Sequence, residues 1–147
     1  MGDLEVKRLA RGDEAVAAVL FAMMAAVFDE GSAPLSEEYV RKLLGSDSFW
    51  AMAAFDGADV VGGLTAHTLP MTRSPSSEVF IYDLAVREDH QRQGVATRLV
   101  DELRTGAARI GIYNVFVPAD NEDAGALEFY RAQGADAAPV TFFTFTR

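Results

Sequence analysis

The chain has 147 residues, enough for one compact domain and too few for two full ones. Half of them are hydrophobic and 24% are charged, a globular composition that excludes global disorder. The 22 Asp and Glu against 13 Lys and Arg leave a formal net charge of −9, the wrong sign for a general nucleic-acid binder and one that favours cationic partners or simple solubility.

Residues 4–9 read as a first strand. Asp13 is placed to cap a helix whose apolar residues, Val16, Val19, Leu20, Met23, Met24, Val27 and Phe28, recur at i, i+3, i+4 and i+7. Residues 29–34, with Gly31 and Pro34, break that helix, and Ser36 caps a second short one through Leu44. Residues 49–55 form a strand, Asp56-Gly57 a turn, and residues 60–68 the returning strand. A loop with Pro and Ser, 70–77, leads to a third run, 78–86, rich in β-branched and aromatic residues. After the polar residues 87–94 a long helix carries Val95, Leu99, Leu103, Ala107 and Ile110 on one side. Residues 112–117 read as a strand, and 123–133 as a helix stopped by Gly134. Residues 141–146 read as a closing strand, with an extra short strand near Ala135.

The order β-α-α-β-β-β-α-β-α-β describes one mixed α/β domain over residues 1–147. Its strand–helix–strand unit, 78–117, makes a parallel strand pair with a right-handed crossover. No apolar run approaches the roughly 20 residues that span a bilayer. The acidic start, Met1-Gly2-Asp3-Leu4-Glu5, lacks a signal-peptide pattern, so a soluble cytoplasmic protein is expected.

The informative segment is Leu84-Ala85-Val86, a polar loop, then Gln91-Arg92-Gln93-Gly94-Val95-Ala96-Thr97. A strand, a loop and a helix start follow one another there. The first helical turn has unpaired N–H groups and the positive end of the dipole, which suits an anion such as pyrophosphate. Gly94 allows torsions and a close backbone approach that a side chain would block. Arg92 and Arg98 add positive charge nearby. The competing reading is a solvated loop before an ordinary helix. Neither G-x-x-x-x-G-K-[ST] nor G-x-G-x-x-G is present, which argues against NTP hydrolysis and dinucleotide binding.

Gln91, Gly94 and Ala96 fill a Q-x-x-G-x-A pattern that resembles motif A of the GNAT acetyltransferase superfamily. Ala126, Tyr130 and Gly134 resemble that family's A-x-x-x-Y-x-x-x-G helix, and the order of elements is the family's order over essentially the whole chain. The resemblance implies acetyl-coenzyme A as cosubstrate, a mixed central sheet with a splayed parallel strand pair, and flanking helices. It implies that Leu84, Ala85 and Val86 bond the pantetheine arm like an added strand, with the arm in the cleft between the parallel strands. Gln91, Arg92, Gln93, Gly94, Val95, Ala96 and Thr97 would surround the pyrophosphate. Where the family often has Asn, seven residues before the Tyr, this chain has Asp123, which points to a role toward a cationic substrate.

Acetyl transfer to an amine needs a neutral amine, a polarised carbonyl, an in-line approach and a stabilised leaving thiolate. The chain has no Cys, which excludes disulfides, Cys-ligated zinc and a cysteine acetyl-enzyme, so direct attack in a ternary complex is the simplest route. Two His are too few for a His-rich metal site, and no metal is expected. By resemblance, Tyr130 contacts the thioester sulfur and protonates it; the plain alternative is a core aromatic. A main-chain N–H of residues 84–86 polarises the carbonyl. Asp83 is the leading candidate to hold the ammonium and take its proton, because an Asp in a β-rich apolar run is costly to bury without a purpose. The plain alternative is the solvent face of the strand. Glu78 is second, at the strand's start. His67 is a weaker candidate base with no partner near it in sequence, and His90 reads as a solvated loop residue.

Two acidic clusters, Asp29 with Glu30 and Asp120 with Glu122 and Asp123 around Asn121, suggest a pocket for a polycation. Single clusters of this kind are otherwise solvated loops. Residues 49–134, above all Tyr82-Asp83-Leu84-Ala85-Val86 and Arg92-Gln93-Gly94, are similar to the GNAT-type aminoglycoside 3-N-acetyltransferases. That implies acetylation of the 3-amino group of a 2-deoxystreptamine ring, an activity that confers antibiotic resistance. Other readings are an acetyltransferase of polyamines or another small amine, a protein acetyltransferase, and a non-catalytic acyl-CoA-binding module. The Phe-rich end, Phe142, Phe143 and Phe145, reads as core or as part of a homodimer interface.

Overall fold

The computed structural model describes residues 4–31 and 33–147, with five strands and four helices among them. They are β1 (Leu4–Arg8), α1 (Glu14–Val27), α2 (Glu37–Leu44), β2 (Phe49–Asp56), β3 (Asp59–Pro70), β4 (Ser77–Val86), α3 (Val95–Arg109), β5 (Val115–Phe116) and α4 (Ala124–Ala132). A 3₁₀ turn, Glu88–His90, stands between β4 and α3. The chain divides into two compact units, one ending at Val117 and one running from Pro118 to Arg147.

The first unit is a sheet in the order β1-β2-β3-β4-β5, antiparallel except for the β4–β5 pair. The first six residues of β2 are all buried, so this strand reads as a continuous apolar run rather than an alternation. Two adjacent glycines in β3 show why. Successive strand residues face opposite sides of the sheet. A Cβ on Gly62 would run into Val95 and Leu99 of α3, and one on Gly63 into Leu20 and Met24 of α1. The two helices therefore cover opposite faces, and each seats against backbone. Leu20, Leu99 and Leu103 have no exposed surface. Burying each such side chain contributes about 1.5–3 kcal/mol.

Local signals account for most boundaries. Ser36 Oγ accepts from the Tyr39 N–H at 3.1 Å, the cap expected for α2. Gly57, at φ +62°, makes the tight β2–β3 turn closed by Asp56 and Asp59. Asp13 begins α1 differently from expectation. Its carbonyl accepts from Ala17, but its carboxylate accepts from Ala10 N–H at 2.9 Å and from Lys7 at 3.2 Å, so its side chain does not cap the helix. The apolar stripe of α1 also differs. Its fully buried residues are Ala17, Leu20 and Met24, while Val19 is 56% exposed.

The strand read over residues 112–117 is shorter, because α3 ends in a Schellman motif. Gly111 takes φ +81°, its N–H bonds Ala108 O, and the Ile112 N–H bonds Ala107 O at 2.9 Å. Ile112 spends its backbone on the helix end and its buried side chain on the core.

In the second unit, Asp123 Oδ1 accepts from the Ala126 N–H at 3.0 Å and caps α4, and Gly134 at φ +90° follows its end. No strand is present among residues 135–147, so both the short strand near Ala135 and the closing strand at 141–146 are corrected. Val140, Phe142, Phe143 and Phe145 are between 70% and 100% exposed. The Thr/Phe alternation suits a strand, but a strand exists only where another backbone completes its ladder.

Candidate functional site

The site begins with an irregularity in β4. Thr65 pairs with Asp83 and Ala66 with Ile81, so Tyr82 is an extra residue without a partner in β3. Such a bulge bends the strand and re-aims its side chains. Tyr82 turns out to 62% exposure, and Asp83 beside it is half-buried. On its other edge β4 pairs with β5 only at Val79 and Phe80, and the Val79 N–H reaches Asn114 O at 3.0 Å. Past Phe80 no described strand pairs with that edge, so residues 81–86, including Leu84, Ala85 and Val86, lie on a strand edge without a strand partner. An extended ligand can add to such an edge by main-chain hydrogen bonds.

The loop after β4 is held back against the sheet. The Arg87 N–H donates to Val61 O at 2.8 Å and Gln91 Nε2 donates to Val86 O at 3.0 Å. Arg92 at φ +63° and Gly94 at φ +82° then turn the chain into α3. Gly94 is the N-cap. It has no side chain to close the helix end, and the first turn has no acidic residue. A Cβ built on Gly94 would meet open space, so backbone torsion rather than crowding calls for glycine there. The start of α3 at Val95, Ala96 and Thr97 thus presents positive potential that no carboxylate of its own turn cancels. Arg98, one turn in, donates instead to Leu4 O at 3.4 Å. The donor-rich loop, the helix end and the open strand edge fit a diphosphate joined to an extended amide arm.

Asp83 has no hydrogen-bond donor or cation beside it among the described residues. Burial first, and the Glu30 carboxylate second, raise its pKa above the usual carboxylate range. The two acids, distant in sequence, are therefore brought into electrostatic contact. Asp29, in the left-handed region at φ +56°, makes the turn that places Glu30 after α1. Glu78 is engaged differently, accepting from Asn114 Nδ2 at 2.8 Å. In the second unit Asp120 Oδ1 accepts from the Glu122 N–H at 2.9 Å, next to Asn121. Asp123 spends one oxygen on its cap. Tyr130 is half-buried, packs edge-on to Phe129 at 5.2 Å and has its pKa pushed up to about 12 by burial and by Asp123. It is a protonated donor throughout the neutral range.

Two features were not legible in the sequence. One is a row of rings along the sheet: Phe49 to His67 at 5.5 Å, His67 to Tyr82 at 5.9 Å, Tyr82 to Phe80 at 5.8 Å and Phe80 to Phe116 at 5.1 Å. His67 has aromatic neighbours and no acidic partner there, which is poor support for a base. The other is His90, whose side chain is only 15% exposed, correcting its reading as a solvated loop residue. Its Nε2 lies 3.1 Å from Asp56 Oδ2 and its Nδ1 2.9 Å from Asp89 Oδ1.

A groove of about 460 Å³ between α1 and the β2–β3 turn is lined by Val16, Val19, Met23, Phe55, Val60 and Arg87. It is mostly apolar and includes none of the candidate catalytic, cofactor-binding or acceptor-binding residues. Among the described residues no cluster of three or more His, Asp or Glu could hold a metal ion, and no helix is long and apolar enough to cross a membrane.

Residues 15–135 match the acetyltransferase (GNAT) family. An aminoglycoside acetyltransferase from an uncultured soil metagenomic sample, HMB0005, is 35% identical over 99% of both chains, with a TM-score of 0.91. A second from such a sample, meta-AAC0020, crystallised with sisomicin, is 32% identical over 98% of this chain and 97% of its own, with a TM-score of 0.91. The aminoglycoside acetyltransferase AAC(6')-Iy, bound to a CoA-linked bisubstrate analogue, shares the fold at a TM-score of 0.85 over 99% of both chains but only 13% identity. No curated protein matches the chain.

Proposed function

We propose that this chain, which belongs to the GNAT acetyltransferase family, acetylates the 3-amino group of 2-deoxystreptamine aminoglycosides by direct attack of the amine in a ternary complex. Acetyl-CoA is the cosubstrate and supplies the acetyl group as a thioester. Leu84, Ala85 and Val86 hold its arm along the open edge of β4, and a main-chain N–H of this stretch polarises the thioester carbonyl. Gln91, Arg92, Gln93, Gly94, Val95, Ala96 and Thr97 hold its phosphates.

Asp83 carries the reading. It is a half-buried carboxylate without a hydrogen-bond partner, beside an open strand edge, with its proton affinity raised by burial and by Glu30. Such a group attracts an ammonium and accepts its proton better than an ordinary surface carboxylate does. Glu78, already bonded to Asn114, is the second choice for that role. Tyr130 is assigned as proton donor to the departing thiolate. Asp29, Glu30, Asp120, Asn121 and Asp123 are assigned to the polycationic acceptor, whose approach the net charge of −9 favours. The 32% identical relative crystallised with sisomicin supports an aminoglycoside acceptor. The resemblance of residues 82–86 and 92–94 to 3-N-acetyltransferases is what favours this position on the ring.

A thiol-release assay with acetyl-CoA tests this, using aminoglycosides that differ in the 3- and 6'-amino groups, together with polyamines. Turnover that requires a free 3-amino group is expected, with the product located by NMR. Turnover that follows the 6'-amino group overturns the position. Turnover of polyamines alone overturns the acceptor, and no CoA release with any amine favours a binding module.

We further propose a homodimer. Residues 137–146 are an uncharged, β-branched and aromatic stretch in an otherwise acidic chain, so two copies can meet there without charge repulsion. Light scattering should show a dimer that becomes monomeric when residues 139–147 are removed; an unchanged mass refutes the assignment.

A further inference from the structure

His90 sits where three segments meet: the end of β2 through Asp56, the 3₁₀ turn through Asp89, and the stretch after β4 through Arg87. Arg87 Nε and Nη2 each donate to Asp89 at 2.8 Å, fixing that carboxylate on a second side. Both ring nitrogens of His90 face carboxylate oxygens, at 2.9 Å and 3.1 Å. A carboxylate only accepts, and a neutral imidazole has a single N–H. Only the imidazolium satisfies both contacts. In the neutral ring one contact sets a nitrogen lone pair against an oxygen lone pair.

The consequence falls on the next residues. Gln91, tied to Val86 O, and Arg92, at φ +63°, follow directly. A left-handed non-glycine residue persists only where its surroundings hold it. The clip at His90 and the tie at Gln91 are the side-chain restraints immediately ahead of that turn.

We propose that His90 is a positioning residue for acetyl-CoA: as the imidazolium it clips the phosphate-facing loop, residues 91–97, to Asp56 at the end of β2, and it releases the loop when it loses its proton. This rests on the acetyl-CoA reading of that loop. The two carboxylates that face the ring nitrogens act in the same direction. Asp89 first and Asp56 second raise the His90 pKa above its ordinary value, and desolvation, then the nearby Arg87, oppose them more weakly. Asp59, on β3, faces Arg87. Because the folded value is raised, the clip is complete below the ordinary histidine range and is lost as pH rises through the raised value.

The test is calorimetric binding of CoA from pH 6 to 9 to the wild type, His90→Gln and Asp56→Asn. CoA's own phosphate ionisation is common to all three and cancels in the comparison. Wild-type affinity is expected to fall about fivefold more than that of His90→Gln over this range, at the low end of typical couplings because the partners are partly exposed. Asp56→Asn keeps an acceptor but loses the charge, so its transition moves to lower pH. Parallel curves for wild type and His90→Gln, or an unmoved transition in Asp56→Asn, overturn the proposal. Hydrogen exchange of amides 91–97, without any ligand, separates the two ideas. Faster exchange in His90→Gln, together with no CoA binding by any variant, keeps the clip and rejects the acetyl-CoA reading. Exchange that ignores His90 rejects the clip itself.

Discussion

Replacing Asp83 by Asn is the sharpest perturbation of the proposed chemistry. Asn preserves size and polarity and removes the negative charge and the ability to take a proton. Asp83 makes no hydrogen bond to lose, so the fold should survive; losing a carboxylate whose ionised form burial disfavours should leave the melting temperature unchanged or slightly higher at neutral pH. General-base assistance is worth about 10²–10⁴-fold, so kcat is expected to fall by at least about 10²-fold. Acetyl-CoA affinity, set at the loop and the strand edge, should hold. The pH profile carries the sign. With a raised folded pKa, wild-type kcat/KM should climb as pH rises through a value above the usual carboxylate range, and that limb should vanish in Asp83→Asn. Glu30→Gln removes one of the two causes of the shift and should move the limb to lower pH without abolishing turnover. The measurement is steady-state CoA release across pH with the aminoglycoside varied at saturating acetyl-CoA, which gives both kcat and kcat/KM. A kcat for Asp83→Asn near that of the wild type, or a profile indifferent to Glu30→Gln, refutes the assignment.

Tyr130→Phe should lower kcat by about 10²-fold with a smaller change in KM, and no ionisation of Tyr130 should appear below pH 9, because its hydroxyl stays protonated to about 12; an unchanged kcat removes it as donor. Gly94→Ala puts a side chain at φ +82°, costing about 1–2 kcal/mol of stability by chemical denaturation and raising the KM for acetyl-CoA; an unchanged KM would separate that backbone turn from the cofactor. Leu99→Ala empties a fully buried site against Gly62 and should cost about 2–5 kcal/mol of unfolding free energy with little effect on KM.

Element order and the candidate cofactor segment were readable because both are local in the chain. Ser36 caps its own helix, Gly57 makes its own turn, and Gln91, Gly94 and Ala96 lie within one loop and helix start. The failures share a cause as well. The pattern of residues 141–146 is correct for a strand, yet no described strand pairs with it. Val19 falls on the apolar stripe of α1, yet Ala17 is buried in its place because Gly63 draws the helix onto the Leu20 and Met24 side.

The sequence alone determined the fold class through periodicity and caps, and its short motif at Gln91, Gly94 and Ala96 carried the resemblance to the family and the candidate cofactor loop, since all of these act over a few residues. Only the tertiary structure decided that Tyr82 bulges out of β4, that Asp83 feels the charge of Glu30 across 52 intervening positions, and that His90 links Asp56 to Asp89. Those pairings come from strand register and helix placement, which close long stretches of chain at once. No local pattern encodes which distant carboxylate will stand beside a given side chain.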